Sequence, residues 1–190
     1  MISSFIHGVP CYGKFNDLHF RALAKAEANT TREQWDGITG VYCTDGYTPI
    51  SGTHNNGHYI TFWPSDNTEE AFREVHEDLM GELRRRDIVV EDNHTYQSPF
   101  IYVHGDKIVS EQDFLFVLLH ELGHHQYDEY REDFSHKELE ILCNKFSVQI
   151  LVKIYGNIHL DGCPEFIQET LDEMGLTYNY TSQVKQPETA

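Results

Sequence analysis

Residues 118–130 read LLHELGHHQYDEY, and the His-Glu-x-x-His inside them, His120 to His124, decides how the rest of the chain is read. On a helix His120 and His124 stand one turn apart and project from one face, so both imidazoles can reach a single ion at about 2.0 to 2.1 Å, the distance zinc prefers. Glu121 turns away from direct ligation, toward the position of an activated water. Two neutral histidines holding Zn²⁺ and a carboxylate taking a proton from water are the parts of a zinc hydrolase. Leu115, Leu118, Leu119 and Leu122 fall on the opposite face, which assigns that side to a core and the two histidines to a cleft. Gly123 costs a helix interior about 1 kcal/mol relative to alanine, so a neighbouring element is expected to need the space its side chain would fill. His125 points roughly 100° away from His124 and is expected to be a partly exposed surface residue.

A catalytic zinc takes three protein ligands and keeps a fourth position open. The metzincin arrangement is excluded, because Tyr130 stands where its third histidine belongs and Tyr127 where its glycine belongs. A carboxylate from the following helix remains, with Glu138 and Glu140 as candidates. Ser135-His-Lys-Glu138 forms a capping box ahead of LEILCNKFSVQILVKIY, and Gly156 offers that helix a stop. Ser110 and Asp113 mark the start of the metal helix near 111 in the same way, and it is expected to run to about 129.

The segment Glu140–Leu151, EILCNKFSVQIL, resembles the second signature of the ImmA/IrrE-like zinc peptidases, a gluzincin group whose helix carries Glu, then Ala-Asn-x-Phe-Ala and a Leu pair. Cys143, Asn144, Phe146, Ser147, Ile150 and Leu151 fit that frame by small-for-small and apolar-for-apolar exchange. The resemblance implies Glu140 as the third ligand, because the gluzincin ligand is followed four residues later by Asp or Asn. It also implies that Asn144 orients a histidine ligand through its free ring nitrogen. The fold it implies is a single-domain, zincin-like α+β fold: a small mixed sheet packed on a backing helix, the His-Glu-x-x-His helix and the helix carrying the third ligand. The activity it implies is limited proteolysis of an intracellular regulator. The likeness covers residues 67 to 152, and Val152-Lys153 stands where the family has Met-Pro.

Elsewhere, residues 15–28 read as a helix and 39–63 as β structure, with Asn56-Gly57 as a hairpin turn. That turn makes a helical His54/His58 metal pair implausible. A helix is expected at about 68–86, strands at 88–90 and 99–104, and a last helix from Pro164 to before Gly175. Strand 99–104 is expected at the sheet edge, where an extended substrate would pair with it. The organisation that follows is one domain over 1–177, with its core at about 67–156, an elaboration of unassigned role at 1–66 and a frayed tail at 178–190. Candidates for the donor that stabilises the reaction's oxyanion are His136, Tyr127 and His104, with His136 preferred as one turn before Glu140. The acids Asp128, Glu129, Glu132 and Asp133 read as a solvated turn.

A formal net charge of -17 repels phosphate backbones and anionic lipid, which argues against nucleic-acid and membrane partners and for a basic protein or peptide substrate. The four cysteines form no C-x-x-C pair, and no apolar run is long enough to span a bilayer or serve as a secretory signal. A cytoplasmic zinc endopeptidase is therefore expected. Two alternatives share the motif: an acidic, non-proteolytic inhibitor or decoy with a structural zinc, and a metal-dependent amidase, which would take its third ligand from cysteine.

Overall fold

His7 and Gly8 carry φ values of 48° and 89°, the positive pair that a two-residue hairpin needs if its strands are to keep their right-handed twist. The turn joins β1 (Ile2–Ile6) to β2 (Val9–Gly13). In this computed structural model, residues 2–44, 56–60, 99–105, 108–160 and 166–176 are described. Helix α1 (Asp17–Asn29) follows, started by Asn16, whose side chain accepts from the His19 backbone while the His19 ring accepts from the Asn16 backbone. A 3₁₀ turn at Arg32–Trp35 then leads into β3 (Val41–Thr44).

The sheet is completed by β4 (Gly57–Ile60) and β5 (Phe100–His104), in the order β1-β2-β3-β5-β4. β2, β3 and β5 run parallel, while β1 and β4 pair antiparallel at the two ends. After β5 come α2 (Glu111–Gln126), a 3₁₀ segment at Asp128–Asp133, α3 (His136–Tyr155) and the short α4 (Ile167–Glu173). The class is α+β with a five-stranded mixed sheet, as the sequence led one to expect.

Alternation along the strands gives the sheet two different faces. Cys11, Val41, Cys43, Ile101 and Val103 enter one hydrophobic core with Ala22, Leu23 and Ala26 of α1, the four leucines of α2, and Val148 and Leu151 of α3. The leucines at 115, 118, 119 and 122 are wholly buried, as their spacing predicts. The other face carries Tyr12 stacked on Tyr42 at 5.1 Å, then Phe100, Tyr102 and His104, all buried.

Two expectations are corrected here. Strand 99–104 is interior, flanked by β3 and β4; its unbroken buried run FIYVH is the pattern of a strand covered on both faces. Among the described residues, four of the five strands come from the first 60 positions. Neither Asn56 nor Gly57 has a left-handed φ, so they do not form the expected tight turn; Asn56 instead accepts the His104 N–H at 2.8 Å, and β4 pairs with β5. The expected helix at 68–86, the strand at 88–90, the run before Asn56, Pro164 and the tail at 178–190 lie outside the described residues. No helix among the described residues is long and apolar enough to cross a membrane.

One ion cluster ties α1 to both long helices. Glu111 accepts from Arg21 at 2.8 Å, Lys25 at 2.5 Å and the Tyr155 hydroxyl at 2.7 Å. Partial burial works against ionisation, but Lys25, Tyr155 and Arg21 outweigh it and hold this carboxyl at about 2, below the ordinary 4.5. A depressed carboxyl pKa contributes stability that is present above the unfolded value and lost as pH falls toward the folded one. Glu111→Gln is therefore expected to cost about 1 to 2 kcal/mol at pH 7, and the difference between variant and wild type should shrink between about pH 5 and pH 2. Chemical denaturation at a series of pH values measures both; a difference that does not change with pH would contradict it.

Candidate metal centre

The site is assembled where α2 crosses α3, and two caps set the phase of those helices. Ser110 accepts the Asp113 N–H at 3.0 Å at the start of α2. At the start of α3 the Glu138 carboxylate accepts from the Ser135 N–H at 2.8 Å and its hydroxyl at 2.6 Å. Glu138 is thus occupied as a capping group, which leaves Glu140 as the acid facing α2. α2 ends at Gln126, short of the expected 129, because the chain continues from Asp128 as a 3₁₀ segment in which no residue is buried.

Gly123 lets the helices meet. A Cβ at this position would lie 3.0 Å from the Cα of Cys143 and 3.1 Å from its Cβ, so the space that the glycine was expected to leave is taken by α3. The approach places His120 Nε2 3.3 Å from Glu140 Oε2, His124 Nε2 3.3 Å from Glu140 Oε1, and the two Nε2 atoms 3.2 Å apart. His120, His124 and Glu140 form the one group among the described residues that brings three metal-ligating side chains together, within 4.8 Å of one another, close enough to hold a metal ion.

Asn144, fully buried one turn beyond Glu140, places Oδ1 2.9 Å from His120 Nδ1. An amide oxygen only accepts, so His120 donates from Nδ1 and keeps the Nε2 lone pair aimed at the centre of the triangle. Burial works to raise the Glu140 carboxyl, but the imidazoles of His120 and His124 outweigh it and hold it well below the usual carboxylate range. Cys143, in contact with Gly123, has its thiol pushed up by burial and by the charges of Glu140 and Glu121, which makes it a packing residue.

Glu121 faces β4. Its carboxyl is buried against that strand. Burial, reinforced by Glu140 and opposed by His124 and the Tyr59 N–H, pushes it up to about 7. The strand lies so close that a Cβ on Gly57 would come 2.5 Å from Val117 Cγ1 and 2.9 Å from Glu121 Oε1. The glycine at 57 serves this close approach, a use that an isolated glycine at a strand can signal.

The remaining sequence candidates are dispersed. His136 stands at the rim, 76% exposed, with Nδ1 3.8 Å from Glu140 Oε1. Tyr127 closes α2, where burial and then Cys143 raise its hydroxyl pKa. Strand alternation puts His104 on the sheet face opposite α1, α2 and α3, with its ring 4.7 Å from Tyr102 and 5.6 Å from His58. His58 shares that face, and His54 lies outside the described residues. His125 is not a bystander: Nε2 is 2.9 Å from the Asp36 carbonyl and Nδ1 2.9 Å from the Tyr59 hydroxyl. Spacing could not reveal this, since both partners lie more than 60 residues upstream.

No family model, curated protein or solved structure matches the chain.

Glu140→Ala is expected to abolish stoichiometric binding of a divalent metal ion, whereas Glu138→Ala should keep it and lose only a helix cap, about 1 kcal/mol. Asn144→Ala should weaken binding about 10- to 100-fold. Competition with a chromogenic chelator reads all three, and retention of the metal by Glu140→Ala would remove Glu140 from the ligand set. Gly123→Val should destabilise the fold by about 1 to 3 kcal/mol through overpacking against Cys143, as read by denaturant unfolding.

Proposed function

We propose that the chain is a zinc-dependent endopeptidase with a zincin-like, gluzincin-type centre: His120, His124 and Glu140 hold the metal and Glu121 is the general base. The observation that carries the reading is the ligand cluster. His120 Nε2 and His124 Nε2 lie 3.2 Å apart, each lies 3.3 Å from a different oxygen of Glu140, and one ligand atom from each residue falls within 4.8 Å of the others. Zinc bonds of about 2.0 to 2.1 Å in a tetrahedral site separate ligand atoms by about 3.3 to 3.4 Å, close to the spacing of the two imidazole nitrogens, and three protein ligands leave a fourth position open. Two imidazoles and a carboxylate, with no thiolate, also suit zinc in a catalytic role.

Zinc bound there supplies Lewis acidity, which acidifies water and polarises a carbonyl oxygen. Glu121 takes the proton from the attacking water and returns it to the leaving amine. His136, at the rim one turn before Glu140, is the residue we assign to hydrogen-bond the oxyanion. The substrate is an extended peptide; strand 99–104, expected from sequence to pair with it, has β3 and β4 on its two sides. A net charge of -17 favours a basic peptide or an exposed basic segment of a protein.

The burial of Glu121 beneath β4 favours one competing reading, a binding protein whose metal is structural. Glu121→Gln separates the two. Incubated with a quenched-fluorescent peptide library rich in Lys and Arg, the zinc-loaded variant should keep its metal and lose about 10²- to 10⁴-fold in hydrolysis. Equal rates for variant and wild type, or no cleavage by either, would favour the binding protein.

A further inference from the structure

Val117, Glu121 and His125 succeed one another at one-turn intervals on α2, and β4 lies along this stripe. Gly57 covers Val117 and Glu121, and the Tyr59 hydroxyl reaches His125. The protonation pattern of this last contact follows from its other end. The Asp36 carbonyl, 2.9 Å from His125 Nε2, can only accept, so neutral His125 donates from Nε2 and presents an Nδ1 lone pair. The Tyr59 hydroxyl therefore donates to Nδ1, across 2.9 Å. Asp36 immediately follows the 3₁₀ turn at Arg32–Trp35, and Gln126 of α2 also donates to that turn, at the Gln34 carbonyl, 2.7 Å away. His125 is thus braced on its α2 backbone and on the loop before β3.

We propose that His125 and the Tyr59 hydroxyl form a latch that sets the height of β4 above α2, which makes both of them positioning residues for Glu121. The inference rests on the reading of Glu121 as the base. The Tyr59 hydroxyl holds the strand to His125, and the same strand lies against Glu121 at Gly57, so movement of the Tyr59 side chain carries with it the backbone that covers Glu121. Gly57 gives the latch its effect: with no Cβ to hold the strand off α2, the gap is set by the polar contact one residue pair further along.

The test uses the full-length zinc-loaded chain, with Tyr59→Phe, His125→Phe and the double variant. Tyr59→Phe removes one oxygen, and His125→Phe keeps an aromatic ring against Tyr59. Amide hydrogen exchange across β4 (57–60), followed by NMR, should be about five- to tenfold faster in each single variant, with the double variant no faster than either. Zinc stoichiometry should stay at the wild-type value. On the peptide selected from the library, kcat should fall in the single variants while KM holds within about twofold, a split that a loss of substrate binding would not produce. Wild-type exchange in Tyr59→Phe, or effects that add in the double variant, would overturn the latch. If exchange follows the expected pattern but the wild-type chain cleaves no peptide, the latch stands and the peptidase reading is what fails.

Discussion

The closeness of α2 to α3 at Gly123 and Cys143 is the constraint on which the centre depends. The three candidate ligand side chains, with atoms within 4.8 Å of one another, come from two helices, and their spacing follows from how far apart the helix axes are held. A side chain at 123 would force the axes apart and take Glu140 out of reach of both imidazoles. The contact is maintained from behind by the buried leucines of α2, which pack with Val148 and Leu151 of α3 in the core. Apolar burial supplies the force, and the missing Cβ determines where the helices come to rest.

The polar side of that contact is electrostatically demanding. Glu121 and Glu140 lie near each other with both largely removed from water, in a chain whose net charge is already -17. The two carboxyls respond in opposite directions: Glu140, facing two imidazoles, is held ionised, and Glu121, under β4, is pushed up to about 7. Two such environments within one site are how acid and base roles are divided between neighbouring carboxyls. They also explain why the centre suits a cation, which relieves the repulsion that burial would otherwise magnify.

Much of this was legible locally. Capping boxes and periodicity place α2 and α3 because a helix start depends on hydrogen bonds within four residues; Ser135 and Glu138 pair as their spacing suggests, and Gly156 ends α3 with φ 74°. The choice between Glu138 and Glu140 came from the family resemblance, and in the structure Glu138 is occupied in the cap of α3 while Glu140 faces α2. The strand at 99–104 was visible as a strand, but its position was not. FIYVH lacks the apolar-polar alternation of a half-exposed strand, and that run of buried residues indicates an interior place. Asn56-Gly57 misled for a different reason: a glycine marks either a turn or a close backbone approach, and the dipeptide alone does not distinguish them.

The sequence by itself determined the set of chemical groups and their phase on each helix: His120 and His124 one turn apart, Glu121 rotated between them, and Glu140 and Asn144 one turn apart on the next helix. Those relations are fixed by the 3.6-residue repeat, which operates without the rest of the molecule. Only the tertiary structure decided that β4, from the first third of the chain, covers Glu121, that His104 belongs to the opposite sheet face, and that His125 holds Tyr59. Each of these depends on strand order and on contacts between side chains and backbone more than 40 residues apart in sequence, distances over which no periodic pattern carries information.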